Sequence, residues 1–218
     1  MMTKNNKNIN QYLFFIIGTI LIVSAALLYL YNTKTNFNAH IQSEAIVEQI
    51  HETSEEYGEL FHAGQLIPDY ILVPGIEMPS AEIDGNLYIG TLTFPDLNLE
   101  LPVMGDWSYP KLKISPCLYS GSIYEHNAVI AAHNYNSHFG RLSELDYDSS
   151  VIFTDIEGNR FLFVVAAKEI LEPKSTEDMV NSGFELSLYT CTLSGTSRYT
   201  VRCKLIQSPD GSTSGVMY

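Results

Sequence analysis

Residues 187–205 read SLYTCTLSGTSRYTVRCKL. Two runs rich in β-branched and aromatic residues flank a turn built on Ser194 and Gly195, the pattern of a β-hairpin. Closing Cys191 opposite Arg198 leaves six residues between them. Directly opposed residues on antiparallel strands share a face, and alternate residues point to opposite faces. One face then carries Tyr189, Cys191, Arg198, Thr200 and Arg202. The other carries Leu188, Thr190, Tyr199, Val201, Cys203 and Leu205, and is apolar enough to be core. A one-residue slip would exchange the two faces. The first face sets a thiol beside a guanidinium. A nearby cation favours the thiolate, which is the nucleophilic form. Arginine stays charged and offers several donors, so it can also hold an oxyanion formed when sulfur attacks a carbonyl. Arg202 shares the face but lies four residues deeper, about 13 Å away at strand rise. That distance favours Arg198.

Upstream of this hairpin the chain keeps a β-type pattern from residue 86 onward. Leu87–Phe94, Leu99–Met104, Ala128–His133, Val151–Thr154 and Phe161–Ile170 are short runs divided by Gly, Pro, Asn, Asp and Ser. With Ser187–Cys191 and Arg198–Ile206 they predict a mainly β domain, a closed barrel over 86–206 with short helices at Tyr109–Lys113 and Arg141–Leu145. A cysteine nucleophile needs an acid for the leaving amine, usually histidine. His40, His51 and His62 fall in a helical stretch ahead of the barrel, and His126 sits in a turn. His133 ends the apolar run AVIAAH, where a side chain can be held rigidly at a barrel rim, and His138 follows in a loop. The order of preference is His133, His138, His126. Trp107 with Tyr109 reads as core or groove wall.

Residues 12–31, YLFFIIGTILIVSAALLYLY, form twenty uncharged residues, enough for a helix to cross a bilayer. Lys4 and Lys7 precede the run and only Lys34 follows closely, so the positive-inside rule puts residues 1–11 in the cytoplasm and the remainder outside. The run exceeds a usual signal-peptide core and lacks a clear small-residue cleavage site, which favours an uncleaved anchor. Residues 32–38 read as a polar tether, 39–61 as a helix, 68–84 as irregular, and 207–218 as a tail. The formal charge of −13 argues against a nucleic-acid partner. The three cysteines, Cys117, Cys191 and Cys203, contain no CxxC pair, so no zinc site is expected. The acids ahead of the barrel form no calcium-site pattern, and no cofactor is assigned. Cys117 and Cys203 read as structural, with a Cys117–Cys203 disulfide as the alternative outside the cell.

LYTC followed by Arg198 resembles the TLxTC…R signature of the sortases, and AVIAAHNYNSHFGRL resembles their histidine motif. LYIGTLTFPDLNLELPVM is similar to the family's opening strands, and the order His, Cys, Arg agrees. The resemblance spans residues 86–206. It implies a sortase β-barrel in which Cys191 attacks the Thr–Gly bond of an LPxTG-like sorting signal. His133 then protonates the departing amine, and Arg198 steadies the tetrahedral intermediate. The acyl group passes to an amine on a cell-wall precursor or a pilin lysine. Thr190 matches the threonine before the family's cysteine and, with Tyr189, is a candidate for substrate binding or for support behind the site. Ala132 departs from the family's usual glycine. No Asp-Pro-aromatic lid motif precedes the barrel, and the HNY…FGRL run resembles class B members without their long helical insert. A cysteine hydrolase with the same three residues, or a catalytically silent anchored binding module, are the alternative functions.

Overall fold

The computed structural model describes residues 4–61, 68–192 and 194–209. His62 and most of the expected tail lie outside the described residues. The chain divides into two units, Met1–Asn38 and Ala39–Tyr218. One helix, α1 (Lys4–Phe61), begins in the first unit. Its residues 12–31 are apolar all round: Phe15, Ile22, Leu28 and Tyr31 are all more than half exposed. By length and composition this stretch can cross a membrane. Residues 32–38, expected as a tether, are helical. No Gly or Pro occurs between Gly18 and Gly58, and the Thr33 and Thr35 hydroxyls donate to carbonyls one turn back, at Tyr29 and Tyr31.

In the second unit, α1 buries Ala39, Ser43, Ile46, Val47 and Ile50, a stripe at helical spacing. Ile46 and Ile50 pack with Ile83, Tyr88, Met104, Cys117 and Ile156. The segment 68–84, expected to be irregular, holds a short helix α2 (Asp69–Leu72) and a strand β1 (Ala81–Ile83). β1 pairs with β2 (Asn86–Phe94), Ile83 opposite Asn86. The two turn residues, Asp84 and Gly85, both have positive φ, which is the demand a two-residue hairpin turn makes and Asp-Gly meets.

The remaining strands are β3 (Leu99–Met104), β4 (Cys117–Ser120), β5 (Ala128–Ala131), β6 (Ser150–Asp155), β7 (Arg160–Leu171), β8 (Leu186–Cys191) and β9 (Arg198–Gln207). Their order is β1-β2-β3-β4-β5-β8-β9-β7-β6, and a β2–β6 pairing closes eight of them into a barrel. Closure is tightest at Gly90, which faces Asp155 after a bulge and has φ of 148°. A Cβ there would strike the Thr154 carbonyl, so only glycine fits. The interior is filled by Leu92, Phe94, Val103, Phe153, Phe163, Leu188, Val201 and Cys203, all without exposure. The expected helices are α3 (Tyr109–Leu112) and a 3-10 turn at Phe139–Glu144; α4 (Thr176–Val180) joins them.

Candidate functional site

Strands β8 and β9 pair with Cys191 opposite Arg198, Tyr189 opposite Thr200 and Ser187 opposite Arg202. The face carrying Leu188, Val201, Cys203 and Leu205 is the barrel core. The opposite face is open only near the turn. Deeper down Thr200 and Arg202 are buried as well, and Arg202 is bonded to the backbone of α4. Arg202 is 1% exposed and spends its donors on Glu169 Oε1 (2.5 Å), Ser187 Oγ (2.7 Å) and the Met179 and Asp178 carbonyls (2.9 and 2.8 Å). It is a structural clasp, with four of its five N–H donors bonded inside the fold. Arg198 differs. Its Nη1 reaches only the adjacent Ser197 carbonyl at 3.4 Å, and it makes no ion pair among the described residues.

The other neighbour of β8 is β5, in parallel, with Ala131 paired to Tyr189. The Ala132 N–H donates to the Tyr189 carbonyl (3.2 Å), and the Thr190 hydroxyl donates to the Ala132 carbonyl (2.9 Å). The contact between the two strands thus runs one residue past β5, and His133 follows next in the chain. Cys191 and Arg198 thus face each other at the ends of β8 and β9, and His133 follows β5 two residues past its last strand residue, Ala131. Thr190 is 4% exposed and turned from the open face, so its hydroxyl serves the histidine strand. Tyr189 stays partly exposed two residues from Cys191.

His133 is partly buried. Burial first, and the Lys113 charge second, lower its pKa below the ordinary 6.5, so its ring rests neutral near pH 7. His138 is 1% exposed, and its two ring nitrogens have no hydrogen-bond partner. Burial and the nearby His133 push its pKa down to about 4, while the Ile114 backbone, outside full hydrogen-bond geometry, pulls weakly the other way. His126 has positive φ in the turn before β5. It lies at the opposite end of that strand from His133, seven residues or about 20 Å away.

Sequence reasoning did not place the β3–β4 connection at this site. Tyr189 meets Tyr119 edge to face (5.6 Å), Tyr119 meets Trp107 (5.3 Å), and Trp107 meets Tyr109 (5.8 Å). Trp107 is 40% and Tyr109 72% exposed. The row forms an aromatic wall running away from Cys191. The cue was the exposed WSY of residues 107–109, but a sequence does not say which strand end a loop reaches.

All three cysteines are free, with Cys117 and Cys203 in separate core clusters, so the Cys117–Cys203 disulfide is not formed. The described residues contain no group of His, Cys, Asp and Glu arranged to hold a metal. A cleft of about 640 Å³ between α1 and the β2–β3 hairpin contains His40, Glu44, His51 and Glu100, with His51 Nε2 2.8 Å from Glu100 Oε1. It lies apart from Cys191 and Arg198.

The family model described as Sortase domain matches residues 92–206, more than half of the chain. Among solved structures, the chain is similar to a Clostridium perfringens sortase D5 transpeptidase, with TM-score 0.55 and 16% identity over 76% of this chain and 98% of that one. It is also similar to Streptococcus agalactiae sortase C1 in complex with MTSET, with TM-score 0.50 and 20% identity over 73% and 88%. At these identities the likeness concerns the fold. No curated protein matches in sequence.

Proposed function

The chain belongs to the sortase family, and from that premise we propose that it is a membrane-anchored cysteine transpeptidase acting outside the cell. The carrying observation is the pairing of Cys191 with Arg198 across β8 and β9, beside the β5 strand whose pairing with β8 leads the chain into His133. In the proposed reaction, neutral His133 takes the Cys191 thiol proton as sulfur adds to the threonine carbonyl of an LPxTG-like sorting signal. Arg198, free of any carboxylate among the described residues, donates to the oxyanion. Collapse breaks the Thr–Gly C–N bond. The leaving amine takes the proton from His133, and a thioester remains on Cys191. An acceptor amine on a peptidoglycan precursor or a pilin then attacks the thioester. Its surplus proton passes to His133 and back to the departing thiolate.

Residues 12–31 supply the anchor, and Lys4 and Lys7 support a cytoplasmic N-terminus. The partners are secreted proteins with a C-terminal sorting signal. The test is mass spectrometry of the protein with an LPxTG-type peptide, with and without an amine acceptor. A Cys191 acyl adduct and amine-dependent product are expected, and Cys191→Ala should fold yet form no adduct. Product that never depends on the amine would make this a hydrolase. Failure of the folded wild-type chain to form any adduct would leave the binding-module reading.

A further inference from the structure

The turn after β5 is folded tightly on itself. The Phe139 N–H donates to the His133 carbonyl (3.2 Å), and the His138 and Gly140 N–H groups donate to the Tyr135 carbonyl (2.9 and 2.8 Å). A Cβ on Gly140 would lie 2.7 Å from the Tyr135 carbonyl oxygen and 2.8 Å from that of Asn134, so glycine permits this closeness. The turn is anchored below by Phe139, fully buried and edge-on to Phe94 (6.0 Å), and by Leu142. Its backbone brings three rings into one pile. The His133 imidazole lies nearly flat against the Tyr135 ring, with centroids 4.9 Å apart and planes at 20°. The Tyr135 ring rests in turn on His138, 5.5 Å away at 47°.

We propose that Tyr135 is a positioning residue: its ring sets the plane of the His133 imidazole toward Cys191, and buried His138 braces Tyr135 from behind. The inference rests on the reading of His133 as the acid–base group. A ring joined by two single bonds to a strand end has two soft torsions, and a flat neighbour removes much of that freedom. Offset-stacked rings gain attraction beyond the area they bury. The backbone is held from both sides already, by the Thr190 hydroxyl on Ala132 and the Phe139 N–H on the His133 carbonyl. The stack adds control of the side chain. His138 brings no hydrogen bond to this arrangement, so its contribution is shape.

The test compares Tyr135→Ala, Tyr135→Phe and His138→Phe with wild type in the transpeptidation assay, with thermal unfolding recorded for each. Tyr135→Ala should lower kcat about ten- to a hundredfold with KM nearly unchanged, the size of loss a misplaced catalytic group gives. Tyr135→Phe should restore kcat to within about threefold, because the stacked face and not the hydroxyl does the positioning. His138→Phe should also stay within about threefold, since an apolar ring braces as well as an unbonded imidazole. Tyr135→Phe as slow as Tyr135→Ala would overturn the proposal, as would wild-type kcat in folded Tyr135→Ala. Loss of all turnover in folded His138→Phe would make His138 the acid–base group and end the brace. Should Tyr135→Ala fail to fold, Tyr135→Leu and the NMR shifts of the His133 ring protons in full-length protein decide. Upfield ring-current shifts that vanish in Tyr135→Leu, together with its lowered kcat, are expected; unshifted protons in wild type overturn the stack. Full turnover by His133→Ala, by contrast, would remove the acid–base reading itself.

Discussion

The Thr190 hydroxyl ties the strand of Cys191, the proposed nucleophile, to the segment that leads into His133, and Thr190→Val isolates that tie. The side chain is buried, and its bond to the Ala132 carbonyl is 2.9 Å long. Valine keeps the shape but cannot donate. Leaving the acceptor unpaired costs about 1–3 kcal/mol. The added apolar group returns about 0.8 kcal/mol. The net destabilisation is therefore about 0.2–2 kcal/mol, up to about 8 °C in Tm for a domain of this size. The kinetic effect should be larger in proportion. Ala132 adjoins His133, and a shift of about 1 Å between acid–base group and nucleophile costs about a hundredfold. We expect Thr190→Val to lower kcat ten- to a hundredfold, at the upper end about that figure, with little change in KM. Thr190→Ser, which keeps the donor, should recover most of both losses. The assays are thermal unfolding and steady-state transfer from a sorting-signal peptide to an amine. Unchanged kcat in Thr190→Val, even with a lower Tm, would show that His133 is not held through Ala132. An unchanged Tm would show that the bond contributes nothing.

Arg198→Lys keeps the charge but loses the planar fork, so turnover should drop at least tenfold, by about 1.4 kcal/mol or more in the barrier; near-normal kcat would remove it as the oxyanion partner. Arg202→Met strips donors from Ser187, Glu169 and two carbonyls of α4, and chemical denaturation should show a loss of about 3 kcal/mol, tempered by the 41% exposure of the Glu169 side chain. His138 has its folded pKa depressed to about 4, so the unfolded chain takes the proton first as pH falls. Its contribution is intact above pH 6.5, declines through the window from 6.5 to 4, and amounts to about 3 kcal/mol when fully lost. Denaturant unfolding at stepped pH should therefore show a gentler acid decline for His138→Phe than for wild type; parallel curves would contradict a buried neutral ring. Trp107 is the only tryptophan, so its emission should change when Cys191→Ala protein binds a sorting-signal peptide, and a silent titration at saturation would mean that the aromatic wall stands clear of the substrate.

The Cys191–Arg198 register, an assumption at the level of sequence, is the one the strands adopt, and strand alternation then assigns the faces, because one face of that hairpin is almost wholly apolar. The same reading gives no sign of what lies over the other face, where Arg202 is held against the five-residue α4, because an element that short leaves no periodic signal. Arg202 therefore looked like a rival to Arg198 when it is a buried clasp. The Asp84–Gly85 hairpin turn was visible as a dipeptide but sat among prolines that suggested irregular chain. The aromatic wall and the His133–Tyr135–His138 pile depend on which loops meet in space. Tyr135 and His138 have no strand or helix pattern around them, only a tight turn that Gly140 makes feasible.

The burial of Cys117 and Cys203 has an analytical consequence. Both are without exposure, and burial raises both thiol pKa values, that of Cys117 to about 12. Neither is available to an alkylating reagent in folded protein, whereas Cys191 is partly exposed at a strand end. The unmodified chain is thus a single-thiol protein while folded and a three-thiol protein once unfolded. Stoichiometric labelling counts accessible Cys191 thiols directly, and the appearance of the second and third adducts times the opening of the barrel, without any engineered cysteine.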